Sequence, residues 1–301
     1  MVMTYKLSMG PVLFNWDQEK MEKFYQRVAN ESVIDDVYIG DVICSKRASW
    51  KFPFWQNILE DLKISGKRVI FSTPSIITNE NEINSIKKII IENPDLEIEA
   101  NDISIFEFAK PCATGQLLNI YNESALQFLE SKGVKEATMP IEIPLESLEA
   151  MVKATKIKLG VQVFGRMPLA LSVRCYHARA HNLNKVNCNF VCGEDADGLI
   201  ASNLENVNLF AINGTQTLSY NYCNLINELG SLRKIGVNNF RLSPHSEVDM
   251  ITISKIFKDC LDEKISVAEA NSKIALASKG ISFSSGFLHG KPGMSFDNED
   301  S

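Results

Sequence analysis

No apolar run in this sequence approaches the ~20 residues that a bilayer-crossing helix needs. The opening stretch MVMTYKLSMGPVLFNW has one lysine, no extended apolar segment and no small-residue cleavage site, so it does not read as a secretory signal. The expected location is the cytoplasm, where thiols stay reduced. Positive charge is also scarce. The chain has 31 Lys and Arg against 37 Asp and Glu, and its net charge of −6 argues against a generic nucleic-acid binder. No Gly-x-Gly-x-x-Gly follows the first strand-like run, which removes the best sign of a dinucleotide fold, and there is no Walker A loop. The Gly-x-Ser-x-Gly elbow of serine hydrolases is missing too. Neither His245 nor His289 has an evident nucleophile beside it. The seven cysteines are odd in number, which does not suit a fully paired disulfide framework.

What is present is an alternation. Hydrophobic residues make up 45% of the 301 residues, enough for a full core without disulfides. Eight β-like runs are legible, at 6–14, 36–41, 68–73, 96–102, 116–122, 136–143, 161–165 and 239–244. Seven of them lead closely into amphipathic helical runs, the first capped by Asp17 with Met21, Phe24, Tyr25 and Val28 on one face. Alternation of this kind predicts a parallel sheet with helical crossovers, and eight units predict an α/β fold of the TIM type, a (β/α)8 barrel. An open, doubly wound sheet is the runner-up. Between the seventh and eighth strands lies an insertion of about 170–236, far longer than an ordinary βα loop. Within it, 208–219 alternates like an extra strand and CNLINELGSL looks helical. The expected organisation is one barrel domain over 1–290 and a mobile acidic tail over 291–301.

The insertion contains RCYHARAHNLNKVNCNFVC, with Cys175, Cys188 and Cys192. Barrel sites form on the loops after the strands, so a fourth partner is sought there. Cys44, just after the second strand, is the obvious candidate, and Cys223 competes with it. Cys112 precedes its strand, at the wrong end of the barrel, and Cys260 lies in an apolar helical stripe. Four such thiolates would suit a [4Fe–4S] cluster or zinc, although only Cys188 and Cys192 have the close spacing usual for structural zinc. Ordinary buried thiols are the third reading. His177 and His181 could be zinc ligands on one helical face, or solvated side chains in a polar stretch. Lys46, Arg47 and Arg174 stand beside the cysteines and could offset thiolate charge or bind a carboxylate. Arg166, Asn101, Asp102, Asn119 and Glu142 lie at predicted strand ends, without an assigned catalytic role.

Across nearly its whole length the chain also resembles peptidase family U32, and within it the branch that serves bacterial oxygen-independent ubiquinone biosynthesis. The resemblance is carried by KLSMGPVLFNW, YIGDVICSKR, IEANDISIFE, GQLLNIYN, MPIEIP, FGRMPLALSVRC, CNFVC, INGTQTLSYNYCNL and FRLSP. It implies a barrel and a [4Fe–4S] cluster held by Cys44, Cys175, Cys188 and Cys192. It also implies a heterodimer with the longer family member UbiU, and a lipid-binding accessory protein that presents a ubiquinone precursor. The implied activity is ring hydroxylation without O₂, with prephenate as the proposed hydroxyl donor. Within NGTQT, Thr215 takes a position expected to be apolar. A zinc-dependent or unassigned peptidase, or a non-catalytic scaffold for a catalytic partner, are the alternatives. The cluster could be redox-active, or it could only fasten the insertion to the barrel.

Overall fold

The computed structural model describes residues 5–295, apart from the side chains of residues 48–52. Alternating strands and helices run in chain order as β1 (Lys6–Met9), α1 (Gln18–Glu31), β2 (Asp36–Ile39), α2 (Ser45–Ile64), β3 (Arg68–Ser72), α3 (Glu80–Glu92) and β4 (Glu97–Ala100). They continue as β5 (Ala113–Thr114), α4 (Glu123–Ser131), β6 (Glu136–Thr138), α5 (Leu145–Ala154) and β7 (Lys158–Leu171). The insertion holds α6 (Tyr176–Ala180), β8 (Leu199–Ser202), β9 (Asn208–Asn213), β10 (Gln216–Asn224) and α7 (Leu229–Ile235). The chain then closes with β11 (Asn239–Leu242), α8 (Met250–Leu261), α9 (Val267–Ala277) and β12 (Phe283–Ser284).

Strands β1 to β7 pair in sequence, all parallel, and β11 pairs in parallel with both β1 and β7. The result is a closed eight-stranded barrel wrapped by helices, as the alternation predicted. The helices form where the expected signals stand. In α1 the Asp17 carboxylate accepts the Lys20 N–H, and Met21, Tyr25, Val28 and Ala29 turn inward. The strand-start end of the barrel is sealed by Arg68, which bridges Asp36, Glu97 and Glu136.

Four local expectations are corrected. The fifth strand is Ala113–Thr114, not 116–122; Gln116–Leu118 instead make a 3-10 turn closed by Asn119 in the left-handed region. The run after β4 is likewise 3-10, because the Asp102 carboxylate takes the Ser104 N–H in a tight turn. The helical run FWQNILEDLKIS, expected from Phe54 after the second strand, begins earlier: α2 starts at Ser45, directly after Cys44. Helix α9 was not anticipated, although Ser266 and Glu269 form a capping box at its start.

The insertion is itself a sheet. Strand β7 runs on past the barrel, and from Phe164 onward it pairs antiparallel with β10, which pairs with β9, which pairs with β8. The alternating run 208–219 is therefore a hairpin rather than one strand, turning at Gly214 and Thr215. Cys223 lies in β10, not at the start of a helix. Lys291–Ser295, expected to be part of a mobile tail, fold back, and the Ser285 N–H donates to the Ser295 carbonyl across 2.8 Å. The rest of that expected tail, 296–301, lies outside the described residues. No helix among the described residues is long and apolar enough to cross a membrane.

Candidate metal centre

Cys44 follows β2 and is the residue from which α2 starts. Cys175 starts α6, where its sulfur accepts the Ala178 N–H at 3.4 Å. Both cysteines therefore sit at helix N-termini. Cys188 and Cys192 are held differently from the helical spacing considered for them. Asn189 and Phe190 both take left-handed backbone angles, and the Val191 N–H donates to the Cys188 carbonyl, so CNFVC folds as a tight turn. Cys188 and Cys192 are buried, while Cys44 and Cys175 are partly exposed.

These four residues come together. Burial pushes the Cys175 thiol up from its ordinary range; the Ala178 N–H works against that, and Cys192, Cys44 and Cys188 each add to the rise. All three are thus within electrostatic reach of Cys175. The remaining cysteines are elsewhere. Cys112 packs on Glu97 and Arg68 at the opposite end of the barrel. Cys223 is fully buried in β10, its thiol held up by burial, and Cys260 is buried in α8.

Two cations reach into the group. Arg47 is only 1% exposed, and its guanidinium donates to the Cys192 sulfur at 3.0 Å and to the Leu13 carbonyl at 3.0 Å. Burial works against its charge, yet Cys192, Cys44 and Asp41 outweigh burial and hold the guanidinium protonated. Lys46 donates to the Cys188 sulfur at 3.5 Å and to the Lys185 carbonyl at 2.8 Å. Arg174, the third cation expected here, is exposed. Among the described residues, no three cysteine sulfurs lie within 4.8 Å of one another. A zinc ion with Zn–S bonds of about 2.3 Å would draw four sulfurs to within about 3.8 Å.

The loops after β1 and β2 clamp the insertion in place. Asn213 donates to the Leu13 carbonyl at 2.7 Å, and Trp16 donates to the Ala196 carbonyl at 2.7 Å. Thr215, at the position expected to be apolar, is buried and donates to the Ile43 carbonyl at 3.0 Å, beside Cys44. The Asp197 carboxylate accepts the Ser246 and Glu247 N–H groups, which anchors the end of the cysteine loop to the segment after β11.

The sequence profile of peptidase family U32 matches residues 19–298. The chain belongs to that family. It is also similar to solved structures at low identity. Against the tryptophan synthase complex of Pyrococcus furiosus the identity is 13%, covering 93% of this chain and 100% of that one, with a TM-score of 0.43. For the DAHP synthase of Thermotoga maritima the identity is 11%, with 94% and 72% covered and a TM-score of 0.36. For a mandelate racemase/muconate lactonizing protein of Paracoccus denitrificans it is 10%, with 54% and 48% covered and a TM-score of 0.39, so this chain spans about half the length of that protein.

In this U32 barrel the cysteines occupy the strand-end face where barrel enzymes place their chemistry. Directly below them is a polar barrel interior that the sequence reading missed. Arg241 pairs with Glu99 at 2.7 Å, both buried, and its guanidinium lies over the Tyr38 ring. Ser72 donates to the other Glu99 oxygen, and Gln116 donates to Gln162. Barrel interiors are ordinarily filled by branched apolar residues. The available signal was a polar residue flanked on both sides by apolar ones, Glu99 in IEA, Gln162 in VQV and Arg241 in FRL. Of the strand-end residues named from sequence, Asn101 lines this cavity alongside Glu99, Gln162 and Arg241. Arg166 points away, to the Ser219 carbonyl at 3.2 Å and the Tyr220 carbonyl. Asp102 caps its 3-10 turn, Asn119 ends one, and Glu142 faces the Tyr121 phenol.

Proposed function

We propose that Cys44, Cys175, Cys188 and Cys192 hold a [4Fe–4S] cluster, and that the chain acts as a UbiV-type subunit of an oxygen-independent hydroxylation system in ubiquinone biosynthesis. The observation that carries this reading is the pair of cations on the thiols, with buried Arg47 on Cys192 and Lys46 on Cys188. Four thiolates in a half-buried site repel one another, and cationic donors lower that cost. The donor set fits the group: all four side chains are thiols, and they come from three separate segments.

When bound, such a cluster supplies one-electron transfer. The chain's own residues do the rest. Arg47 and Lys46 hydrogen-bond the ligand sulfurs and favour the more reduced, more negative state. Arg47 also ties Cys192 to the Leu13 carbonyl, and so to the barrel rim. The cavity formed by Glu99, Asn101, Gln162 and Arg241 offers a polar pocket at that rim. In this proposal the chain works in the cytoplasm as a heterodimer with UbiU, with a lipid-binding accessory protein presenting the ubiquinone precursor.

A second reading is favoured by the bonds that clamp the insertion to the β1 and β2 loops, namely that the thiols and their cluster only fasten the insertion. One set of measurements tests both. Protein purified without oxygen should carry about four iron and four sulfide per chain, lost in both Cys44→Ala and Cys188→Ala. Iron-free protein would overturn the cluster. A cluster that no physiological reductant can reduce, in a chain that still supports quinone formation with UbiU, would favour the fastening role.

A further inference from the structure

A second group of metal-binding side chains lies within the same insertion and uses none of the cysteines. His177 and His181 are one helical turn apart and their rings stack, with centroids 5.6 Å apart and planes 8° from parallel. Asp195, just beyond Cys192, completes the group, and one ligand atom from each of the three falls within 4.8 Å of the others.

His177 is fully buried, and its ring is fixed by its own backbone neighbours. Its Nδ1 lies 3.0 Å from the Ile212 carbonyl, a contact that requires Nδ1 to carry the proton. In the neutral ring Nε2 then carries the lone pair that binds a metal. That nitrogen comes 2.9 Å from the Asp195 carboxylate, but the two are not aligned as donor and acceptor, and Nε2 has no hydrogen-bond partner. An approach this close between a ring nitrogen and a carboxylate oxygen calls for a cation between them, a proton or a metal ion. Two ligands each about 2.0–2.1 Å from one tetrahedral ion would be about 3.3–3.4 Å apart, so the pair would open by about half an ångström to take one up. A backbone carbonyl on the far ring nitrogen is the usual outer support of a metal-bound histidine.

We propose that His177, His181 and Asp195 form a mononuclear site for a divalent transition metal of the zinc class. Two imidazoles and one carboxylate suit such ions and are poor ligands for magnesium or calcium. His181 is exposed and Asp195 partly so, which leaves coordination positions open to water on the outer side. The ion ties α6, which starts at Cys175, to the segment that follows Cys192. It thereby fixes two of the cysteine-bearing segments relative to each other. The site does not depend on what the cysteines hold.

The test uses full-length protein purified without oxygen and equilibrated with Zn²⁺ alone. Wild type is compared with His181→Ala, Asp195→Asn and a Cys44→Ser/Cys188→Ser double variant. Both His181 and Asp195 reach solvent, so their replacement leaves the core intact. The expected result is one Zn²⁺ per chain that is weakened at least tenfold in His181→Ala and in Asp195→Asn and retained in the cysteine variant. X-ray absorption at the zinc edge should show only nitrogen and oxygen neighbours. Zinc binding unchanged in both ligand variants, a sulfur shell in the absorption spectrum, or no zinc bound by wild type would each overturn the assignment.

Discussion

The backbone N–H of Arg166 donates to Nε2 of His245 across 2.9 Å, at the point where β7 leaves the barrel wall. Phe164 is the last residue paired in parallel with β11 and the first paired antiparallel with β10. The histidine side chain thus satisfies an N–H that the barrel ladder has released.

Gly165 makes this departure possible. Its φ is +106°, and a Cβ there would lie 2.8 Å from the Ser243 Cβ and 2.9 Å from His245 Nε2. Gly165→Ala should therefore combine backbone strain with a clash and cost about 2–4 kcal/mol. Urea unfolding would measure it, and a loss below about 1 kcal/mol would mean that the junction is less constrained than its geometry implies.

His245 should also set an acid limit on stability. It accepts a hydrogen bond, so the fold needs it neutral, and burial depresses its pKa from the ordinary 6.5 to about 3. A depressed folded pKa means that stability is intact above about pH 6.5 and falls as pH drops from there toward 3. The slope should be about 1.4 kcal/mol per pH unit. Denaturation midpoints across that range should show it. His245→Gln, which cannot titrate, should flatten the slope; an unchanged slope would place the titrating group elsewhere.

Replacing Arg47 should affect the thiol site more than the barrel. Arg47→Gln removes the charge beside Cys192 while a polar side chain remains to reach the Leu13 carbonyl. Iron retained per chain should fall, and any cluster that remains should have a more negative reduction potential than wild type. An unchanged potential in an EPR-monitored redox titration would remove Arg47 from the electrostatics of the site.

Thr215→Val keeps shape and deletes one hydroxyl. The bond to the Ile43 carbonyl is buried, so its loss should cost about 1–2 kcal/mol and leave that carbonyl unpaired next to Cys44. Faster alkylation of Cys44 in the iron-free protein would confirm that the bond holds this loop; an equal rate would show the loop held by other contacts.

The barrel was legible because its signals are local. Six of the eight predicted runs contain the strand found there, a seventh, 161–165, lies inside β7, and Asp17 caps α1 as its sequence suggests. The fifth strand failed because two residues, Ala113 and Thr114, leave no periodicity to read, while the more apolar QLLNIYN next to it looked like the strand. Cys44, Cys175, Cys188 and Cys192 could be named as a set from the resemblance, but their cations could not be ranked. Arg47 and Arg174 look equivalent in sequence, yet one is buried on Cys192 and the other is exposed. Asp195 went unnoticed because its link to His177 runs through the fold of the loop rather than through spacing. The polar barrel interior was missed for a similar reason: one Glu and one Arg, far apart in the chain, signify nothing until Glu99 and Arg241 face each other across the barrel.

Because β7 belongs to two sheets, the barrel and the β8–β10 hairpin layer form one continuous hydrogen-bonded fabric, and the part outside it is the loop from Ser172 to Gly198 that carries three of the four cysteines. Loss of whatever those thiols hold would therefore release a loop and not a domain. The barrel and the hairpin layer would stay folded, with the partly exposed Cys44 and Cys175 as the thiols open to solvent. Oxidation in air would then begin at those two sulfurs and leave the barrel intact.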